Sequence, residues 1–347
     1  MKKILRLFLV LTFLAGLAAA YGSWTVMTFV DGEVTPPGGR AELTIAPGSS
    51  LRTIAKDLDA AGVIEDTRMP GVGSVFHLWA HRLERAGPKV KAGEYLFEGP
   101  ASPRKVLEII TKGQVRTYQV TIPEGLRLDE IMPLFEAAGL GKADALLAVA
   151  RDRDFVRSLG IPADDLEGYV YPETYTFAKG VSAKKILART VERFDAAYER
   201  AAAGANPPVK LDRHEMVTLA SIVEKETGAP EERPRIACVF YNRLQQDWKL
   251  QTDPTVIYAK ILWSGGTWDG NLSRADLERD HPYSTYARKG LPPGPIASPG
   301  GKALEAVMNP MKCKDMFFVA KGGGLHEFCV DYACHLKAID RYQKLGK

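Results

Sequence analysis

L-A-S-I-V-E-K-E-T, Leu219 to Thr227, places two glutamates at the end of a helix otherwise built for burial. Asp212 followed three residues on by Glu215 has the form of a capping box, and Gly228 with Pro230 supplies a stop. The pattern therefore predicts a helix from about Arg213 to Thr227. Met216, Leu219, Ala220 and Val223 recur at i, i+3, i+4 and i+7, which makes one core-facing stripe. At roughly 100° per residue, Glu224 and Glu226 fall on the two flanks of that stripe while Lys225 points away. A carboxyl partly removed from water keeps its proton to higher pH, as a general acid working near neutrality must.

Around this helix the composition is ordinary. Of 347 residues, 46% are hydrophobic and 25% charged, which excludes a disordered chain and a polytopic membrane protein. A net charge of +4, spread along the chain, gives no footprint for nucleic acid. The N-terminus stands apart. After Lys2, Lys3 and Arg6, the 24 residues from Leu7 to Val30 carry no charge, enough to cross a hydrocarbon core of about 30 Å. The run is expected to be an uncleaved anchor with residues 1–6 cytoplasmic and the rest outside; a signal peptide cut near Ala18-Ala19-Ala20 is the competing reading. Asp31 to Arg40 is Gly- and Pro-rich and reads as a linker, placed at residues 31–41.

An internal repeat follows. The stretch from Leu43, L-T-I-A-P-G-S-S-L-R-T-I-A-K, aligns without gaps on V-T-I-P-E-G-L-R-L-D-E-I-M-P from Val120. Each copy reads as a strand, a glycine turn and an amphipathic helix. The unit also has the opening of a LysM-type glycan-binding module. A small LysM-like domain is thus expected over 42–118, a second strand-turn-helix unit over 119–160, and an α+β catalytic domain over 161–347.

That last region holds five polar motifs interleaved with tyrosine and proline: Leu166 to Tyr175, Ser221 to Thr227, Val239 to Leu244, Leu250 to Ala259 and Tyr283 to Gly300. Such stretches are poor core material and suit a sugar cleft, where rings stack on pyranose faces. Candidate binding residues are Tyr169, Tyr171, Glu173, Asn242, Gln251, Thr252, Asp253, Tyr283 and Tyr286, set around Glu224 as the catalytic group. No Cys/His zinc spacing occurs, so no metal and no cofactor are expected. Phe317 to Val330 reads as a hairpin turning on Gly323, with Phe317 opposite Cys329. Extending it brings Cys313 beside Cys334, the expected disulfide, and leaves Cys238 as a small buried hydrophobe.

The order and wording of the five motifs, with F-V-A before the glycine turn and His335 in the last helix, resemble the endolytic murein transglycosylase, or YceG-like, family. The resemblance implies a single-pass inner-membrane lyase that cuts nascent peptidoglycan between N-acetylmuramic acid and N-acetylglucosamine, leaves 1,6-anhydro ends, and so terminates glycan polymerisation. It implies a periplasmic catalytic domain, a partnership with penicillin-binding synthases, and a catalytic role for the first glutamate of V-E-K-E, Glu224. Two rivals stand beside it: a two-carboxylate muramidase using Glu224 with Asp253, and a non-enzymatic wall-binding scaffold.

Overall fold

The computed structural model describes residues 2–64, 72–82, 89–266 and 268–344. The chain divides into two compact units, one of residues 1–118 with 177–180 and one of residues 119–176 with 181–347. Among the described residues the architecture mixes helices with three two-stranded sheets.

In the first unit, helix α1 (Lys2–Asp31) is followed by β1 (Arg40–Ile45), α2 (Leu51–Ala60), α3 (Val72–Arg82), β2 (Gly93–Glu98) and α4 (Pro103–Lys112). Within α1, Ile4–Asp31 is long and apolar enough to cross a membrane, and its most apolar window is not buried in protein. Phe29 and Val30 at its end do enter the core of the unit. Strands β1 and β2 pair antiparallel, Arg40 opposite Glu98 and Ile45 opposite Gly93. Helix α2 starts where Ser50 Oγ accepts the Thr53 N–H, and α4 where Ser102 caps and Pro103 opens the first turn. Leu51, Ile54 and Leu58 of α2 then meet Tyr95 and Phe97 of β2 and Val106 and Ile110 of α4. Each such side chain contributes about 1.5–3 kcal/mol by leaving water.

The second unit begins within β3 (Thr117–Thr121) and continues through α5 (Leu128–Ala137), α6 (Ala143–Ala150), α7 (Arg153–Ser158), β4 (Thr174–Ala178), α8 (Ala183–Ala202), α9 (Arg213–Glu226), α10 (Arg233–Gln245), α11 (Asp253–Trp263), α12 (Arg274–Glu278), α13 (Gly301–Met308), β5 (Phe317–Gly322), β6 (Leu325–Cys329) and α14 (Tyr332–Ile339). The two halves of the sequence repeat fold alike: β1 then α2, and β3 then α5. Helix α9 is the axis of the unit, contacted by α10, α11 and α13. Its nine consecutive residues from Met216 to Glu224 are all buried, so the helix is enclosed all round and not only along the stripe its apolar spacing marks.

The disulfides differ from the expected pairing. Cys238 bonds Cys313, and Cys329 bonds Cys334. The hairpin register does set Phe317 opposite Cys329, but the ladder ends there. The chain before β5 instead lies along α10, where Met311 N–H reaches Pro234 O at 3.0 Å and Asn242 Nδ2 donates to Asp315 O at 2.9 Å. That course brings Cys313 to Cys238 of α10. On the other side Asp331 caps α14 through the Cys334 N–H at 2.8 Å, and this tight turn returns Cys334 to Cys329. The first bridge closes 75 residues, and replacing Cys313 by Ser is expected to cost about 2–4 kcal/mol in denaturant unfolding. An unchanged unfolding midpoint after the substitution would contradict that.

Candidate active site

Helix α9 sets the site because its ends are fixed chemically. Asp212 Oδ1 accepts the Glu215 N–H and Glu215 Oε2 accepts the Asp212 N–H, both at 2.8 Å. At the other end Thr227 is extended, with φ −139° and ψ 138°. Glu224 and Glu226 therefore leave the last turn on different sides, and their surroundings have little in common.

Glu224 is built into the protein. Oε1 accepts from the Arg233 guanidinium at 2.6 Å, and Oε2 accepts the Gly300 N–H, the N-cap of α13, at 3.0 Å. The two side chains are 5% and 6% exposed. Burial pushes the Glu224 pKa up, while the Gly300 N–H and Arg233 pull against it. Both oxygens accept hydrogen bonds from protein groups, and the side chain is almost closed to solvent. Glu124 stands 3.5 Å from Arg233, and a Cβ at position 300 would fall 1.9 Å from its carboxylate, which is why glycine occupies the cap.

Glu226 opens outward. Oε2 accepts the Thr252 hydroxyl at 2.7 Å, and the carboxyl lines a cavity of about 610 Å³. Burial first, and then the charge of Asp253, raise its pKa to about 7, against the pull of the Thr252 hydroxyl and Arg243. Thr252 is fixed by its N–H to Thr285 Oγ1 at 3.1 Å. Gln251 beside it is held at φ 49°, a left-handed conformation costly to a residue with a Cβ and characteristic of ligand clamps. Its N–H donates to Thr285 O at 3.2 Å. Tyr286 donates to Asp253 Oδ1 at 2.7 Å across the same cavity.

The facing wall comes from the hairpin and α14. Phe317 stacks on His335 at 4.9 Å and meets Trp248 edge-on at 5.5 Å. Arg243, buried, donates to Met316 O at 2.9 Å and to Leu250 O, joining that wall to the Gln251 loop. Burial, then Arg243, lower the His335 pKa, so its ring is neutral at pH 7.

The structure thus gathers Gln251, Thr252, Asp253 and Tyr286 around Glu226, not around Glu224. The other candidates lie elsewhere. Tyr169 is fully buried, with its hydroxyl 2.8 Å from His214 Nδ1. Tyr171 lies beside the start of α13, where a Cβ on Gly301 would sit 3.2 Å from its hydroxyl. Glu173 pairs with Arg193, and Asn242 bonds the backbone at Cys313 and Asp315. Tyr283 lines a separate cavity of about 450 Å³ with His214 and Glu167. Sequence reasoning missed Arg233 as the partner of Glu224, and Arg243, Trp248 and Phe317 as cleft residues; the aromatic spacing of the hairpin was the available signal. Among the described residues no group of three or more His, Cys, Asp or Glu could hold a metal ion.

A carboxyl that holds its proton to near neutrality, beside a groove walled by aromatic rings, is what acid-assisted cleavage of a glycan requires. The comparisons with known proteins agree in kind. A profile described as the YceG-like family matches residues 43–341, and the chain belongs to that family. It is 29% identical over 315 residues to an endolytic murein transglycosylase of Bacillus subtilis (strain 168), covering 86% of this chain and 84% of the relative. It is 30% identical over 310 residues to the endolytic murein transglycosylase of Streptococcus pneumoniae serotype 2, covering 80% of this chain; it spans about half, 53%, of that longer relative. A crystal structure of a yceG-like protein from Listeria monocytogenes superposes with a TM-score of 0.56 at 32% identity, over 87% of this chain and 99% of that one.

Proposed function

We propose that this chain, a murein transglycosylase by its family and relatives, uses Glu226 as its single acid and base. The observation that carries the assignment is the Glu226 carboxyl itself, with a pKa raised to about 7 and facing the cavity that Gln251, Asp253 and Tyr286 share. Protonated, Glu226 gives its proton to the bridging oxygen as the bond to muramic C1 breaks. The carboxylate then takes the proton of the muramic C6 hydroxyl as that oxygen bonds C1. No water enters, and the product ends in a 1,6-anhydro ring. Mass spectrometry of murein strands after incubation tests this: product ends heavier by one water would instead support a hydrolase pairing Glu226 with Asp253, which faces the same cavity.

Because the acid must be protonated, turnover is expected to fall as pH rises through about 7. A rate that climbs steadily from pH 6 to 9 would exclude Glu226 as the acid.

The finer reading assigns residues 7–30 to a membrane anchor with a cytoplasmic stub at 1–6, and the catalytic domain at 161–347 to the periplasm, where it meets nascent strands and their penicillin-binding synthases. Residues 42–118 form a LysM-like membrane-proximal domain, and 119–160 lead into the catalytic domain. The protein is expected to sediment with membranes at full length. Recovery of a soluble form beginning near Tyr21 would refute the anchor.

A further inference from the structure

The cleft does not end at Tyr286. That side chain lines a second cavity of about 790 Å³, with Lys249, Arg274, Leu277, Asp280 and Arg288 among its walls, so one tyrosine separates it from the cavity of Glu226. Its charges are not balanced. Arg274 pairs with Glu278 at 2.8 Å and Arg288 with Asp280 at 2.8 Å. Lys249, half-buried two residues before Gln251, has no ion pair among the described residues, which leaves one positive charge facing the space. A lysine with no protein counter-ion is free to pair with an anion that reaches it.

The geometry points to a subsite in this second cavity for the carboxylate-bearing branch of the muramic sugar, with Lys249 as the counter-ion. The inference rests on the reading that the Glu226 cleft holds murein. In that polymer every second sugar carries a lactyl carboxyl, either free or extended into an acidic peptide, whereas the pyranose rings themselves are neutral. A strand threaded past Tyr286 would stack its rings in the aromatic cavity and direct a branch toward Lys249. Selection for murein over a neutral chitin-like chain would then come from charge at this position, since ring stacking does not distinguish the two.

The test measures binding to the full-length Glu226→Gln protein in detergent, which holds strands without cutting them. Three probes are compared: an N-acetylglucosamine oligomer, an amidase-stripped murein oligomer with bare lactyl carboxylates, and a peptide-bearing murein oligomer. The carboxylate-bearing strands are expected to bind about tenfold more tightly than the neutral one, the scale of one charge-assisted hydrogen bond. Adding Lys249→Glu, or the milder Lys249→Gln, should bring that ratio close to one. A ratio unchanged by both substitutions overturns the proposal. Tight binding of both murein probes assigns the lactyl carboxylate, and of the peptide-bearing probe alone the peptide. If the Glu226→Gln protein binds no murein probe, the murein reading of the cleft fails and this subsite falls with it.

Discussion

Glu226→Gln is expected to lower murein cleavage by at least about 10²-fold, the lower range of what a positioned acid and base supplies. The amide keeps the shape and can still accept the Thr252 hydroxyl, but it has no proton to give and recover. Folding should not suffer. The folded pKa of Glu226 lies above the ordinary carboxyl value, so its proton stabilises the fold at low pH, and that contribution is lost as pH rises through about 7. At pH 8 the variant should therefore melt no lower than the parent. Retained turnover in Glu226→Gln beside lost turnover in a folded Glu224→Gln would return the acid role to Glu224.

The second large effect is on stability. Glu224→Ala leaves the Arg233 guanidinium, 6% exposed, without its buried partner, and removes the acceptor from the α13 cap. Breaking one member of a buried pair costs about 3–5 kcal/mol, chiefly through the uncompensated charge. The loss should appear as a lower melting temperature, and Glu224→Ala combined with Arg233→Met should lose less than the two single changes added together. Strict additivity would mean that the 2.6 Å contact contributes no coupling.

The ends of α9 were legible because capping is local: Asp212, Glu215 and Gly228 act within a few residues. The repeat was legible for the same reason, each strand, turn and helix being specified in one short run. Periodicity also placed Glu224 and Glu226 on opposite flanks. It could not say which flank faces solvent, since that depends on α13 covering one and the Thr252 loop leaving the other open. The polar, tyrosine-rich motifs marked the right segments without marking direction. Tyr286 lines the cleft while Tyr169, in similar company, turns inward to His214. The cysteine pairing failed where the chain is irregular: between α13 and β5 no ladder carries register, and contacts with α10 decide it.

The opposed settings of the two glutamates also separate them as reagents. A carbodiimide attacks carboxyl groups that are protonated and reachable. Glu226 meets both conditions near neutrality, whereas Glu224, two residues earlier, has both oxygens occupied and almost no surface. One turn of helix thus presents a single addressable carboxyl, so a covalent probe or inhibitor warhead aimed at the cleft would reach Glu226 and spare Glu224, the buried strut of the fold.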